Sequence, residues 1–329
     1  MRILVTGGAG FIGHHFIEHL LKNTDWDIVV LDKLNYASDG FNRLRDIDCF
    51  NIARVLLLSA DFTKKLEPGI VQEIGEVGYI VHMGAETHVD KSIENAEPFV
   101  MSNVVGTMHM LEFARTLPNL QKFIMFSTDE VYGPAPIGTA FKETDRYNST
   151  NPYAGTKAGA EQLALAYENT YKVPVFVTNT MNVFGARQHP EKFIPLCMTK
   201  ILNGETIKIH SDKTLTVSGS RFWIHARNVA HAIMFLLENG VERESYNIVG
   251  NQETSNLEVA TMIARILGKE LKYEMIDFHS TRPGHDLRYA LDGTKLANMN
   301  FVFPKSFEDS FEENIKWHLR PENKRWLVL

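Results

Sequence analysis

Residues 1–13 read MRILVTGGAGFIG, an apolar run that turns directly into three spaced glycines, Gly7, Gly10 and Gly13. The apolar part is short and rich in β-branched residues, as a strand buried on both faces should be. From 11 to 21 apolar residues recur at helical spacing. A glycine-rich turn joining a first strand to a first helix suits a dinucleotide pyrophosphate. Gly7 takes backbone angles that other residues resist, Gly10 lets the main chain approach a phosphate, and Gly13 lets helix pack on strand. The helix start, with Phe11 and Ile12 in its first turn, adds free N–H groups and a partial positive charge. A tight strand–helix turn of any α/β protein is the plainer alternative, and a lone glycine triplet does not separate the two.

Asp32 separates them. A second apolar run, Ile28-Val29-Val30-Leu31, ends in this carboxylate nineteen positions after Gly13, near the spacing expected of a ribose-binding acid. A carboxylate there accepts hydrogen bonds from both adenosine hydroxyls and repels a 2′-phosphate, so NAD is favoured over NADP. Lys33 follows and softens that repulsion, but the strand-end position belongs to Asp32.

The chain has 329 residues, 44% of them apolar and 22% charged, with a net charge of −6. That length supports a large core and two lobes sharing a cleft. The charge gives no electrostatic reason to bind nucleic acid. No apolar run reaches the length of a membrane span, and Met1-Arg2 enters a strand rather than a signal peptide. Two cysteines, Cys49 and Cys197, are too few for a disulfide framework, which points to a reducing, cytoplasmic setting. The Asn148-Ser149-Thr150 sequon is then expected to stay unmodified. The thirteen histidines show no metal-ligand spacing, so no metal is expected. His14, His15 and His19 crowd one helix and are expected to be solvated.

Further strands are expected at 55–59, 79–82, 122–127 and 175–179, and helices at 99–115 and 154–171. Such alternation implies right-handed crossovers and a doubly wound parallel sheet covered on both faces. After Gly185 the pattern loosens, with helices expected near 191–203, 227–238, 255–267 and 307–318. The expected organisation is a dinucleotide-binding domain over 1–187, with returns near 224–248 and 288–316, and a smaller, interleaved lobe for substrate over 188–329. Ligands of open α/β sheets sit beyond the carboxyl ends of the strands.

Two segments belong at such ends. In Tyr153-Ala-Gly-Thr-Lys157 the phenol and the ammonium, four residues apart, share one helix face. An ordinary tyrosine is only about 0.1% ionised at pH 7, and lowering its pKa by ~3 units needs roughly 4 kcal/mol of phenolate stabilisation. Lys157 and a positive nicotinamide ring are suitable sources. In Ser127-Thr128-Asp129-Glu130-Val131-Tyr132-Gly133, Thr128 can hydrogen-bond the hydroxyl that Tyr153 deprotonates. Asp129 and Glu130 can serve one site only if the strand has ended, because adjacent strand residues point to opposite faces. The plain alternative for that pair is a solvated acidic loop.

Together GGAGFIG, Asp32, STDEVYG and YAGTK resemble the extended short-chain dehydrogenase/reductases, and the Thr-Asp-Glu triplet narrows the likeness to nucleotide-sugar 4,6-dehydratases, in particular the dTDP-glucose 4,6-dehydratase group. The likeness runs over nearly the whole chain. It includes 32–37 (DKLNYA), 85–93 (AETHVDKSI), 103–107 (NVVGT), 190–195 (PEKFIP), Arg221 and 282–286 (RPGHD). It implies a Rossmann-type fold with tightly held NAD, bound by the glycine turn, Asp32, Lys33, Asn35, Asp61, Phe62, Ala85, Tyr153 and Lys157. For the nucleotide-diphosphate sugar it implies Thr87, Thr128, Asn182, Glu191, Lys192, Arg221, Asn256, Arg282 and His285. It also implies a homodimer through a four-helix bundle built from 99–115 and 154–171.

The chemistry implied is an internal redox dehydration. Tyr153 takes the proton of the sugar 4-hydroxyl as hydride leaves C4. The ketone acidifies C5–H, Glu130 removes that proton, Asp129 protonates the departing 6-hydroxyl, and hydride returns to C6. One carboxyl must be ionised and the other protonated. Departures from the family pattern fall on the substrate side. Asn179, Met181, Phe184 and Ala186 stand where arginine, serine, tyrosine and proline are expected, and 210–220 is longer than the usual turn before the phosphate-binding arginine. The base (thymine or uracil) and the 2-substituent (hydroxyl or acetamido) therefore stay open. A UDP-GlcNAc 4,6-dehydratase with or without 5-epimerisation, a 4-epimerase or decarboxylase, and a NAD-binding sensor without chemistry are the competing readings.

Overall fold

The computed structural model describes residues 1–278 and 287–328. Its first half alternates strand and helix: β1 (Arg2–Thr6), α1 (Phe11–Asn23), β2 (Asp27–Asp32), α2 (Asn42–Asp46), β3 (Val55–Ser59), α3 (Pro68–Ile74) and β4 (Tyr79–His82). After α4 (Val89–Glu94), the short α5 (Glu97–Phe99) runs through a π-helical stretch (Val100–Val105) into α6 (Gly106–Ala114). Then come β5 (Lys122–Thr128), α7 (Pro152–Tyr171), β6 (Val175–Thr180) and β7 (Val183–Phe184). The rest comprises α8 (Phe193–Leu202), β8 (Ile207–Ser211), β9 (Ser220–Phe222), β10 (Ile224–His225), α9 (Ala226–Asn239), β11 (Ser245–Ile248), β12 (Glu253–Ser255), α10 (Asn256–Leu267), β13 (Tyr273–Asp277), α11 (Thr294–Asn298) and α12 (Phe307–Leu319).

Seven strands form one sheet in the order β11-β6-β5-β4-β1-β2-β3, and every neighbouring pair is parallel. The order reverses between β1 and β4, the switch point at which such sheets open a crevice beyond their carboxyl ends. Side-chain alternation builds two cores from the same strands. Ile3, Val5, Ile28, Val30 and Ile124 face α1 and α9, while Leu4, Val29, Leu31, Phe123 and Met125 face α6 and α7. A third core lies outside the sheet, joining Ile194 and Met198 of α8, Ile207 and Ile209 of β8, Val259 and Ile263 of α10, and Phe311 and Ile315 of α12.

One expectation fails on α1. His14 is wholly inaccessible and His15 is 2% exposed, not solvated, because α1 packs both on the sheet and against α9. Each ring donates one N–H to a carbonyl, His14 Nδ1 to Gly10 O at 3.1 Å and His15 Nε2 to Ala186 O at 3.0 Å, bonds that by themselves favour the charged form. Burial depresses both, His15 to about 3. No helix among the described residues is long and apolar enough to cross a membrane.

Candidate active site

The cradle at the switch point is shaped by glycine. Gly7 has φ +68°, and a Cβ there would sit 2.7 Å from Gly84 Cα. A Cβ on Gly13 would sit 2.3 Å from Gly7 O, so helix and turn can close only without it. α1 starts at Gly10 with no side-chain cap and no acid in its first turn, which leaves the N–H groups of Phe11 and Ile12 for an anion. Asp32, at the end of β2, is 6% exposed and accepts N–H from Ala9 at 3.1 Å and from Leu34 at 2.8 Å. Burial raises its pKa against those two bonds. It thus pins the glycine turn to β2 while keeping acceptor capacity for a ribose.

Lys33 and Asn35 turn toward one another's partner. Lys33 Nζ pairs with Glu86 Oε1 at 2.6 Å, and Asn35 Nδ2 donates to the same oxygen at 3.1 Å. The loops after β2 and β4 are joined there. Ala85 is half-buried beside Glu86, and Asn103, on the π-helical stretch, holds that loop through Glu86 N–H and C=O at 2.9 and 3.0 Å. Asp61 is exposed and accepts Thr63 N–H at 2.9 Å. The Phe62 ring is instead core, filling space that a Cβ on Gly84 or Gly106 would occupy, so only its backbone can face a ligand. These donors and this glycine-lined hollow fit a dinucleotide.

Beyond β5 the strand does end, at Thr128, and a short 3-10 helix (Asp129–Tyr132) follows. Thr128 caps it by accepting Glu130 N–H at 3.3 Å and donates to Asp129 Oδ1 at 3.0 Å. Gly133 closes the turn at φ +74°, where a Cβ would meet Asn148 O at 2.2 Å. Asp129 is 4% exposed, and its Oδ2 has no hydrogen-bond partner among the described residues. Burial, then Glu130, pushes it up to about 7, while Arg221 and Thr128 pull down. Glu130 takes Asn151 Nδ2 on Oε2 at 3.0 Å. Asn151 is also the N-cap of α7, accepting Ala154 N–H at 2.8 Å, so one residue starts the helix and holds the carboxylate.

Tyr153 and Lys157 follow on α7, 8% and 4% exposed. Ser92 Oγ accepts Tyr153 N–H at 3.1 Å, and Lys157 Nζ donates to Phe126 O at 2.7 Å. Burial and then Glu130 raise the Tyr153 phenol, against a hydrogen bond with Thr128. Burial lowers Lys157 to about 8. The protein alone therefore disfavours the phenolate that the sequence leads one to expect, and the added cation must come with the ligand.

On the substrate side, Arg221 of β9 stacks over Tyr289 at 4.7 Å and donates to Leu287 O at 2.6 Å. Its guanidinium lowers the Asp129 carboxyl, so β9 lies within electrostatic reach of the turn after β5. Glu191 lies between His88 Nε2 at 3.7 Å and His189 Nδ1 at 3.6 Å, next to Lys192 before α8. Asn182 keeps a buried Oδ1 with no partner among the described residues. Asn256 opens α10 and donates its N–H to Gly219 O at 2.8 Å. Thr87 is exposed on the loop before α4. Arg282 and His285 lie outside the described residues. Three residues had no role legible in the sequence: Glu86, although it lies within the family-like 85–93 segment, Glu161, and the fully buried Arg43, which donates to Ala37 O at 2.8 Å and Arg187 O at 2.9 Å.

The GDP-mannose 4,6 dehydratase family model matches residues 4–313. The low-salt glycan biosynthesis protein Agl12 of Haloferax volcanii is 39% identical over 320 residues, 97% of this chain and 99% of that one. A dTDP-glucose 4,6-dehydratase of Neisseria gonorrhoeae is 36% identical over 98% of this chain and 97% of its own. The crystal structure of DesIV, a dTDP-glucose 4,6-dehydratase from Streptomyces venezuelae with NAD and TYD bound, superposes with a TM-score of 0.88 at 35% identity, covering 99% of this chain and 98% of that one. With the family model matching residues 4–313 and relatives matched over nearly their whole length, the chain belongs to the GDP-mannose 4,6 dehydratase family of nucleotide-sugar dehydratases.

Proposed function

We propose that this protein is a NAD-dependent nucleotide-sugar 4,6-dehydratase that converts dTDP- or UDP-glucose to the 4-keto-6-deoxy sugar with loss of water. The observation that carries the reading is the unlike pair at the end of β5. Asp129 is buried and pushed up to about 7, beside Glu130, which is held by an amide donor. Exchanging a configuration at C4 needs one proton acceptor, whereas removing water across C5 and C6 needs a base and an acid as well. NAD, when bound, supplies a hydride acceptor that takes hydride from C4 and gives it back at C6. Tyr153 takes the 4-hydroxyl proton, aided by Lys157 and oriented by Thr128. Glu130 takes the C5 proton, and Asp129 hands its own proton to the 6-oxygen. Arg221 and Lys192 suit the diphosphate, for which arginine offers a bidentate fork. The 188–329 part serves as the sugar-nucleotide lobe.

Incubation with dTDP-glucose, UDP-glucose and UDP-GlcNAc in deuterium oxide tests this directly. A 4-keto-6-deoxy product with deuterium at C5 is expected from a glucose nucleotide. Glu130→Gln should slow C5 exchange at least ~10²-fold, the scale of a lost general base. Recovery of a 4-epimer with intact C6–OH would refute the reading. We further infer a homodimer in which α6 and α7 pair with their copies. Val100 and Met101 on the adjoining turn are 42% and 41% exposed, and α7 is rich in alanine, which permits close helix approach. Light scattering at micromolar concentration should give twice the chain mass, and a monomer would refute it.

A further inference from the structure

One helical turn beyond Lys157, α7 buries a carboxylate that this chemistry does not use. Glu161 is wholly inaccessible and stands to Lys157 as Lys157 stands to Tyr153, four residues on along one face. Its Oε1 accepts the Ser127 hydroxyl and Asn179 Nδ2, the latter at 3.0 Å, and its Oε2 accepts the Tyr147 phenol. Those donors come from β5, β6 and the segment before α7. The Asn179 amide also donates to Thr128 O at 3.2 Å, which ties the carboxylate to the residue that orients Tyr153. An ionised group taken out of water costs several kcal/mol unless donors and a counter-charge compensate. Three donors converge here.

We propose that Glu161 is a positioning residue, a buried carboxylate that keeps Lys157 in its ammonium form and thereby keeps a cation beside Tyr153. Burial depresses Lys157 to about 8, and Glu161 is the group that opposes it. For Glu161 itself, burial leaves the carboxyl raised on balance, while the donors Ser127, Tyr147 and Asn179, with Lys157, draw it back down and favour its ionised form. Among the described residues no other anion opposes the burial of Lys157. His82 on β4, bonded to Thr6 at 2.7 Å and Thr107 at 3.1 Å, is pushed to about 3 by burial and by Lys157 and stays neutral. Tyr147 and Tyr132 are raised by burial and by Glu161 and stay protonated. Besides burial, Glu130 and Asp129 from beyond β5 raise the Tyr153 phenol, and Glu161 does so least, so the gain from Glu161 runs through Lys157.

The kinetic side of the test rests on the dehydratase reading, and the titration does not. The protein carrying 13C at lysine Cε is titrated by NMR, with the Lys157 signal identified by its loss in Lys157→Met. The parent midpoint should lie near 8. Glu161→Gln should move it down by about one pH unit, a tenfold loss of proton affinity, and Glu161→Asp should restore most of it. The alkaline limb of turnover should shift in the same direction. An unchanged Lys157 midpoint in Glu161→Gln overturns the proposal even if that variant is less stable. Should Glu161→Gln fail to fold, Tyr147→Phe, which removes one donor, decides: a lowered midpoint supports the proposal and an unmoved one overturns it. A parent that makes no 4-keto sugar would overturn the dehydratase reading and leave the titration result standing.

Discussion

Asp129 and Glu130 are neighbours in sequence with different surroundings, and the difference follows from where β5 stops. Thr128 caps the turn, so the two side chains leave the strand alternation, one into the protein and one toward Asn151. The raised Asp129 has a consequence for stability. A folded state that holds the proton more tightly than the unfolded chain is favoured below pH ~4 and loses that advantage as pH rises through the folded value. A displacement from 3.8 to about 7 amounts to at most about 4 kcal/mol at ~1.4 kcal/mol per pH unit. Asp129→Asn should therefore gain on the parent between pH 4 and 8 in urea unfolding, while dehydration falls. A difference independent of pH would sink that account. Tyr153, Lys157 and Asp129 were legible because their spacing from the strand end or along the helix decides what they face. Glu161, Arg43 and Glu86 were not, since their partners come from segments remote in sequence. Asp32 was legible as the carboxylate that closes β2, but its burial and its two backbone bonds depend on how the glycine turn folds over it.

Among the elements, strands expected at 55–59 and 79–82 occur at those bounds, and the helices after Gly185 fall within a few residues of expectation. Parallel strands buried on both faces announce themselves as unbroken apolar runs. The six-residue π-helical stretch was invisible, because its apolar spacing passes for ordinary helix; it bears Asn103, which anchors the loop after β4. α1 was misread at its histidines, because polarity suggested solvent where α9 in fact packs. Their depressed values set a direction. Neutral, buried histidine contributes stability above pH ~6.5 that is lost as pH falls toward the folded value. With His15 moved from 6.5 to about 3, the loss at pH 4.5 is roughly 3 kcal/mol. His15→Gln, which can still donate to Ala186 O, should unfold with a shallower fall in stability from pH 7 to 4.5. Parallel curves for parent and variant would show that His15 does not carry the effect.

At the scale of the molecule, the sheet is not finished by the first half of the sequence. β11 pairs with β6 in parallel, and α9 covers α1, though both come from beyond residue 187. Residues 1–187 produced alone should bare the β6 edge and the apolar face of α1, and should aggregate or expose dye-binding surface. A soluble, cooperatively melting fragment would show that the later strand is an ornament. The span 224–248, where a return to the sheet was expected, holds α9 and β11. The influence of Arg221 on Asp129 had no signal in the sequence, because it depends on the third core's placement. The late arrival of β11 also has a meaning in time. The ribosome must add the 64 residues between Thr180 and Ser245 before the edge strand can dock, which at about 5–20 residues per second takes roughly 3 to 13 seconds. Through that interval every nascent chain carries an open parallel edge, so its yield in a cell depends on how well that edge is shielded during synthesis.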